Sequence, residues 1–581
     1  MDLKLIGATP TEQERRAISG AVPMAHAEID RGRAVAGGHR ARSLRHQLLP
    51  ALAAVQSEIG WISPGAIDEI SRRLAVPPAE VYSVATFYAL LSVESRPERV
   101  AHVCDDSACR ATGGESVLEE LSGRDDVIAS PCLGQCDFGS AALVQRAGKA
   151  DYAIAPATAA AIEAALDGKE PRARRTVLPR RSMTILDRVG KVDPARLDSY
   201  REHGGYAALE QAFEIGADDV IYEVNASGLR GRGGAAFPTG LKWRGAAESD
   251  SPTRYLICNA DESEPGTFKD RTLMEGDPFA VIEAMTIAGF AIGAEQGYLY
   301  IRGEYPHAAA VLREAIDQAT EARLLGDDIL GEGITFDIEI RQGQGAYICG
   351  EETALFNSIE GYRGEPRQKP PFPTEAGLFG KPTVVNNVET LVNVLEIVMT
   401  GGDAYAQTGT KDSTGTRLFC LSGAVDMPGV YEVEFGTTLR QLLDLAGGPP
   451  SNLAAILLGG AAGSFVGSEM LDLALTFEDS RAAGVSLGSG VVVVYDDTVD
   501  MRSVARRIAR FFRDESCGQC VPCRVGTVRI EEALARNLIG GAPLEIGLID
   551  DIDRAMKDAS ICGLGHTAGS AIQSAIKLGL L

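Results

Sequence analysis

The sequence has no apolar run near the ~18 residues that a membrane-crossing helix requires. It also lacks the apolar core of a secretory leader, since Met1-Asp-Leu-Lys-Leu runs into polar residues, and a cytoplasmic location is expected. Positive charge is in short supply: 56 Lys and Arg against 80 Asp and Glu leave a net charge of −24, which repels nucleic-acid phosphates. Histidine is scarce too, and the seven present are scattered with no catalytic cluster. What is there is an acidic chain of 581 residues, 45% hydrophobic, long enough for several domains with sizeable cores. Its basic islands, Arg31 to His46 and Arg172 to Arg181, read as a solvated arm and a linker.

The 11 cysteines are an odd number, and they cluster. Clustered thiols in a cytosolic chain favour metal binding over disulfides. Cys104-x4-Cys109 and Cys132-x3-Cys136 sit beside short strands at Val100–Val103 and Ala141–Val144. Two such pairs suit a [2Fe–2S] cluster, whose ligands are thiolates. Zinc also accepts C-x2–4-C pairs, so spacing alone leaves it open. Cys517-Gly-Gln-Cys520-Val-Pro-Cys523 with the remote Cys562 is a stronger cluster signal. Cys258, Cys349 and Cys420 stand singly among apolar residues and read as small buried hydrophobes.

Glycine supplies the other motif. The stretch from Ser227 to Trp243 places Gly231, Gly233 and Gly234 where the backbone can adopt positive φ and approach a ligand. Successive N–H groups there can form an anion-binding concavity, and Lys242 adds a cation, so a phosphate-bearing cofactor is the natural guest. The spacing departs from a plain G-x-G-x-x-G dinucleotide fingerprint. Acidic turns follow at Asn259-Ala-Asp261-Glu262-Ser263-Glu264 and at Tyr347-Ile-Cys-Gly350-Glu351-Glu352, then Lys369-Pro-Pro-Phe372.

Glycine loop, acidic turns and cysteine triplet, together and in this order, resemble the flavoprotein subunit of respiratory complex I and of its soluble relatives. Those relatives are the diaphorase subunits of NAD-dependent formate dehydrogenases and bidirectional hydrogenases. The resemblance runs from about Ile185 to the C-terminus and implies an FMN site. Gly231, Gly233, Gly234 and Lys242 match the family's flavin loop, and Asn259, Asp261, Glu262 and Ser263 its second stretch. Tyr347, Gly350 and Glu351 match the third, and Asn386, Asn387 and Thr390 the fourth, although an Asn pair is by itself an ordinary turn or helix cap. NAD(H) is implied over the flavin, with Phe237, Glu264, Glu352, Lys369 and Phe372 matching its contacts. Cys517, Cys520, Cys523 and Cys562 then imply [4Fe–4S]. Upstream, Val81 to Tyr88 resembles the helical lead-in of the thioredoxin-like subunit of the same complexes, which implies [2Fe–2S] on Cys104, Cys109, Cys132 and Cys136.

The implied activity is hydride exchange between NAD(H) and FMN, with no acid or base from the protein and with electrons leaving singly through the clusters. Arg244-Gly-Ala246 stands where complex I subunits tend to carry an aromatic, and the two parts are fused. Both features lean towards the soluble relatives, with the beta subunit of a formate dehydrogenase expected first and a hydrogenase diaphorase second. No residues here could hold molybdenum, tungsten or nickel–iron, so an iron–sulfur-rich catalytic chain is the expected partner in a hetero-oligomer.

The expected fold class is multidomain α/β. It comprises an N-terminal arm, partly mobile (1–45), a helical lead-in (46–94), a thioredoxin-like [2Fe–2S] domain (95–168) and a linker (169–184). A Rossmann-like FMN- and NAD-binding domain follows (185–412), then a β-grasp insert expected to carry no chemistry (413–500) and a helical [4Fe–4S] domain (501–581). Strand and helix patterns alternate from Tyr255 to Ile340, which implies a parallel sheet with ligands outside its carboxyl ends.

Overall fold

Leu48, Leu52 and Val55 recur at helical spacing, and each is fully buried on one face of α2 (Leu48–Ile59). The computed structural model describes residues 8–22, 29–30, 33–34, 44–169 and 178–581. Helix α1 (Glu12–Ala21) precedes α2 and packs against it, and α3 (Pro64–Leu74) and α4 (Pro78–Ala85) complete this layer. Helix α1 lies within the stretch expected to be an arm. Its start was legible, because Thr11 and Glu14 form a reciprocal capping box and Ile18 is fully buried. Most of the basic island at 31–46, and Arg172, Arg174 and Arg175, lie outside the described residues. Arg45 pairs with Glu80 at 2.6 Å and lies over the Tyr362 ring.

The next unit is a four-stranded sheet in the order β2-β1-β3-β4, formed by β1 (Arg99–Cys104), β2 (Val127–Ser130), β3 (Ala142–Arg146) and β4 (Tyr152–Ile154). Only β1 and β2 run parallel. Ala101, Val103, Val144 and Ile162 form its core beneath α6 (Gly114–Glu120) and α7 (Ala159–Leu166), which follow α5 (Ser107–Ala111). Cys104 ends β1, Cys109 sits in α5, and Cys132 and Cys136 lie on the loop beyond β2.

The central unit is a parallel sheet in the order β8-β5-β6-β7, from β5 (Tyr255–Ala260), β6 (Gln296–Ile301), β7 (Asp337–Gln342) and β8 (Thr383–Asn387). Its helices are α8 (Thr239–Ala247), α9 (Lys269–Gly276), α10 (Pro278–Ile292), α11 (Pro306–Glu321), α12 (Glu352–Ile359) and α13 (Val388–Thr400). Helix α10 is apolar nearly all round, as a helix enclosed on every side must be. Its one carboxylate, Glu283, accepts from Tyr200 Oη at 2.5 Å, Tyr206 N at 2.8 Å and Leu209 N at 3.0 Å, which satisfies it in the core. The strand order reverses between β5 and β8, and a crevice opens at such a point outside the carboxyl ends.

The insert forms a five-stranded sheet in the order β10-β9-β13-β11-β12, with β9 (Thr416–Gly423), β10 (Gly429–Glu434), β11 (Leu453–Leu458), β12 (Ser464–Val466) and β13 (Val491–Asp496). The end of the stretch expected to be a linker is anchored on β10. Glu432 accepts from the backbone N–H groups of Met183, Thr184, Ile185 and Leu186 at 2.9–3.2 Å, and Arg180 N donates to Val430 O. The C-terminal helices are α14 (Met501–Glu515), α15 (Val521–Gly540), α16 (Ile546–Ala559), α17 (Gly563–Thr567) and α18 (Ser570–Lys577). Val504, Ile508, Phe511 and Phe512 bury the inner face of α14. Among the described residues no helix is long and apolar enough to cross a membrane.

Candidate active site

A cleft of about 410 Å³ opens at the carboxyl ends of β5 and β8. Gly233, Gly234, Asn259, Asp261, Glu262, Ser263, Tyr347, Gly350, Glu351 and Asn387 line it, and so does Glu264. Of the three loop glycines only Gly234 takes positive φ, at 119°. Gly233 has little room beside it, since a Cβ there would stand 3.2 Å from Asn387 Cβ. Gly231 instead donates its N–H to Phe237 O and closes the loop.

Thr390 and Asn386 shape the cleft without lining it, while Glu262 and Asn387 both line it and hold structure around it. Thr390 Oγ1 accepts from Arg232 N at 2.8 Å and so pins the glycine loop. Asn386 Oδ1 accepts from Trp243 Nε1 at 2.8 Å, which fixes α8. The Glu262 carboxylate turns to the start of α9, where it accepts from Asp270 N and Arg271 N at 2.9 Å and from Thr267 and Tyr305 hydroxyls. Asn387 is a helix cap, the ordinary role of an Asn pair, for its Oδ1 accepts from Glu389 N. It also faces the cleft.

Asp261 differs. Burial pushes its carboxyl up to about 8 against the pull of Arg302. Ser263 Oγ donates to Oδ1, while Oδ2 is buried with no hydrogen-bond partner. A buried oxygen left unpaired in a cleft of this size fits a ligand that brings its own donor. The N–H groups of Gly233 and Gly234 likewise donate to no backbone acceptor among the described residues. Glu264 accepts from Tyr347 Oη at 2.5 Å and Ala462 N at 2.9 Å, and burial raises it to about 7.

The charges at the mouth are balanced within the protein. Lys369 Nζ lies 2.6 Å from Glu352 and 3.2 Å from Glu351, and Lys242 Nζ lies 3.4 Å from Glu352. Burial works to raise Glu352, but the two lysines hold it below its ordinary value. Phe237 stands beside this cluster, with Lys242 Nζ 5.8 Å from its ring centre; it is 51% exposed, and Phe372, three residues beyond Lys369, is 54% exposed. Exposed rings such as these are free to stack on a flat ligand, although neither lines the cleft itself.

Both cysteine sets close into quartets. Cys132 Sγ lies 3.3 Å from Cys136 Sγ, and Cys104 reaches both Cys109 and Cys132. Cys517, Cys520, Cys523 and Cys562 line one small pocket with Ile348 and Leu564. Ile348 and Leu564 are also walls of the large cleft, so the cleft and the second quartet share these two residues as a common wall. Cys258, Cys349 and Cys420 are buried in the core, as expected.

The insert, expected to carry no chemistry, nevertheless reaches the cleft. Its loops bring Gly459 and Ala462, and Ser486, Gly488 and Ser489, to the cleft wall. Gly459 and Gly460 take positive φ, and a Cβ on Gly460 would stand 2.6 Å from Glu264 Cγ. The run Gly459-Gly-Ala-Ala-Gly463 was a visible signal for such a close approach. Thr267, Asp270 and Thr567 also line the cleft, and nothing in their local sequence marks them.

Comparisons with known proteins agree with this geometry. The Nuo51 FMN-binding domain matches residues 224–396, and the NADH-ubiquinone oxidoreductase-F iron–sulfur binding region matches 503–578. A thioredoxin-like [2Fe–2S] ferredoxin matches 38–167 and an SLBB domain 418–463. An NADH-quinone oxidoreductase subunit of Aquifex aeolicus is 45% identical over 395 residues, 68% of this chain and 92% of that one. The HndC subunit of the NADP-reducing hydrogenase of Solidesulfovibrio fructosivorans is 44% identical over 404 residues, 69% of this chain and 82% of the relative. A chain of an air-oxidised NAD⁺-reducing [NiFe]-hydrogenase superposes with a TM-score of 0.79 at 33% identity, covering 91% of both chains. The cofactor set is therefore FMN, NAD(H), [2Fe–2S] and [4Fe–4S]. The chain belongs to the family of FMN- and iron–sulfur-containing NADH oxidoreductase subunits that includes this relative from Aquifex aeolicus.

Proposed function

We propose that the chain is the diaphorase subunit of a hetero-oligomer in the cytoplasm, passing electrons between NAD(H) and a catalytic partner chain. The observation that carries this is the shared wall of Ile348 and Leu564 between cleft and second quartet. Bound flavin would supply the exchange of a hydride for two single electrons. The protein's work is to bind and orient. Gly233, Gly234, Asn259, Asp261, Ser263, Gly350, Glu351 and Asn387 would hold the flavin, with Thr390, Asn386 and Gly231 fixing the loop around it. Phe237 and Phe372 would flank the nicotinamide nucleotide, and Glu264, Glu352, Lys242 and Lys369 would balance its charge. Cys104, Cys109, Cys132 and Cys136 would hold [2Fe–2S]; Cys517, Cys520, Cys523 and Cys562 would hold [4Fe–4S].

For the partner, the sequence resemblance supports a formate-oxidising molybdenum or tungsten chain. A hydrogenase is the second reading, because the likeness to the NAD⁺-reducing [NiFe]-hydrogenase chain spans 91% of both chains. Affinity purification from native cells, with formate- and hydrogen-driven NAD⁺ reduction assayed on the eluate, separates the two. A molybdenum- or tungsten-containing chain with formate activity supports the first reading, and nickel–iron with hydrogen activity the second. An eluate that reduces no dye with NADH would sink the diaphorase reading itself.

A further inference from the structure

Cys132 and Glu262 belong to different domains, yet one guanidinium holds both of their main-chain carbonyls. Arg302, 2% exposed just beyond β6, donates from Nη2 to Cys132 O at 2.7 Å and from Nη1 to Glu262 O at 2.6 Å. Its counter-charge is Glu304, whose Oε1 accepts from Nη2 at 2.8 Å and whose Oε2 is buried without a hydrogen-bond partner. A second arginine repeats the connection. Arg271 N donates to the Glu262 carboxylate, while its side chain donates to Gln135 Oε1 at 2.6 Å and Asp137 Oδ1 at 2.8 Å. There is no slack in this joint, since a Cβ on Gly134 would stand 2.0 Å from Tyr305 Oη.

Burying a guanidinium and a carboxylate costs several kcal/mol in desolvation, and an apolar pair of the same volume would avoid that cost. A fixed cation placed against the carbonyl of a cluster ligand has a use that an apolar residue lacks. We propose that Arg302 raises the reduction potential of the centre held by the Cys132 quartet, and that Glu304 trims the effect. The proposal rests on the assignment of that quartet to [2Fe–2S]. Reduction adds one negative charge to the cluster, so a nearby buried cation favours the reduced form and a nearby anion opposes it. Arg302 acts through the Cys132 carbonyl and is a positioning residue. Because the same side chain holds Glu262 O, it also keeps the flavin cleft in register with the quartet.

The test is an EPR-monitored redox titration of the full chain carrying its cofactors. In the wild type a reducible [2Fe–2S] signal is expected; its absence would remove the quartet assignment and this proposal with it. Arg302→Gln is expected to lower the [2Fe–2S] midpoint, and Glu304→Gln, which is isosteric, to raise it. Arg302→Lys, which keeps the charge, is expected to fall between Arg302→Gln and wild type. The [4Fe–4S] midpoint stays unchanged in all three. A purely structural role would not give shifts of opposite sign. Should Arg302→Gln fail to retain its cluster, Glu304→Gln decides alone: an unchanged or lowered midpoint overturns the proposal.

Discussion

Cys104, Cys109, Cys132 and Cys136 are each no more than 3% exposed, whereas Cys517, Cys520 and Cys562 are half-buried. The first quartet comes from one small domain but is closed over by others. Arg302 and Tyr305 cover it from the flavin domain, and Arg507 of α14 bonds Asp105 at 2.8 Å and Asp106 at 3.1 Å beside it. The second quartet borders the cleft directly and keeps one side towards solvent. In the proposed reading the half-buried quartet is the exit for electrons, and the enclosed one is tuned by its neighbours. Nearness to the cleft, not depth of burial, separates the two roles.

Six substitutions would break or sharpen that contrast. Cys562→Ser is expected to abolish the [4Fe–4S] signal and to cut electron delivery to the partner by about 100-fold or more. NADH should still bleach the flavin absorbance of this variant. Cys132→Ser should leave partner reduction far less affected, and equal losses in the two variants would collapse the distinction.

The loop glycines offer a second contrast. Gly134 (φ 64°) and Gly518 (φ 78°) both take the left-handed conformation next to a quartet. Gly134→Ala meets Tyr305 Oη as well and is expected to cost about 2–4 kcal/mol by denaturant melt. A Cβ on Gly518 would meet only Arg524 Cδ at 3.8 Å, so Gly518→Ala should cost only about 1 kcal/mol. Similar costs would show that the first quartet is not locked as described.

Asp261 lies on the flavin side of Arg302 and carries a pH signature. Its folded value of about 8 lies above the ordinary carboxyl value, so between about pH 4 and 8 the native chain binds a proton that the unfolded chain does not. Stability of the flavin-free chain therefore falls as pH rises through that window. Asp261→Asn should flatten the slope and gain about 1 kcal/mol or more at pH 8. A pH profile unchanged by the substitution would show that Asp261 is solvated. The smallest effect is expected at the mouth: Phe372→Ala should raise KM for NADH about 3- to 10-fold, worth about 1 kcal/mol of stacking, with Tm unchanged. An unaltered KM would place the nucleotide elsewhere.

Much of this was legible because the chemistry is local. Cys517, Cys520 and Cys523 announce themselves by spacing, and the glycine loop by composition. The parallel sheet was readable from the alternation of strand and helix patterns between Tyr255 and Ile340, and its strands β5 and β6 are buried on both faces. What stayed hidden depends on contacts across hundreds of residues. Arg302 looks like any charged residue after a strand, and only the fold brings Cys132, 170 residues earlier, onto it. Glu262 matches the flavin motif and lines the cleft, yet its carboxylate accepts from the free N-terminal amides of α9, a contact that no local pattern marks. The insert's loops reach the site only because its sheet packs against the flavin domain.

The clamp at Glu432 also sets an order of events on the ribosome. The amides of residues 183–186 find their acceptor 246 to 249 residues later in the chain. At about 5–20 residues per second, some 12–50 seconds separate the emergence of donor and acceptor. Throughout that interval the leading [2Fe–2S] domain has been made, while the start of the flavin domain is still without its anchor. The strand that fixes this start must be synthesised after the whole parallel sheet. Premature termination between α13 and β10 would therefore leave a chain with every FMN-motif residue present and its entrance segment unfastened.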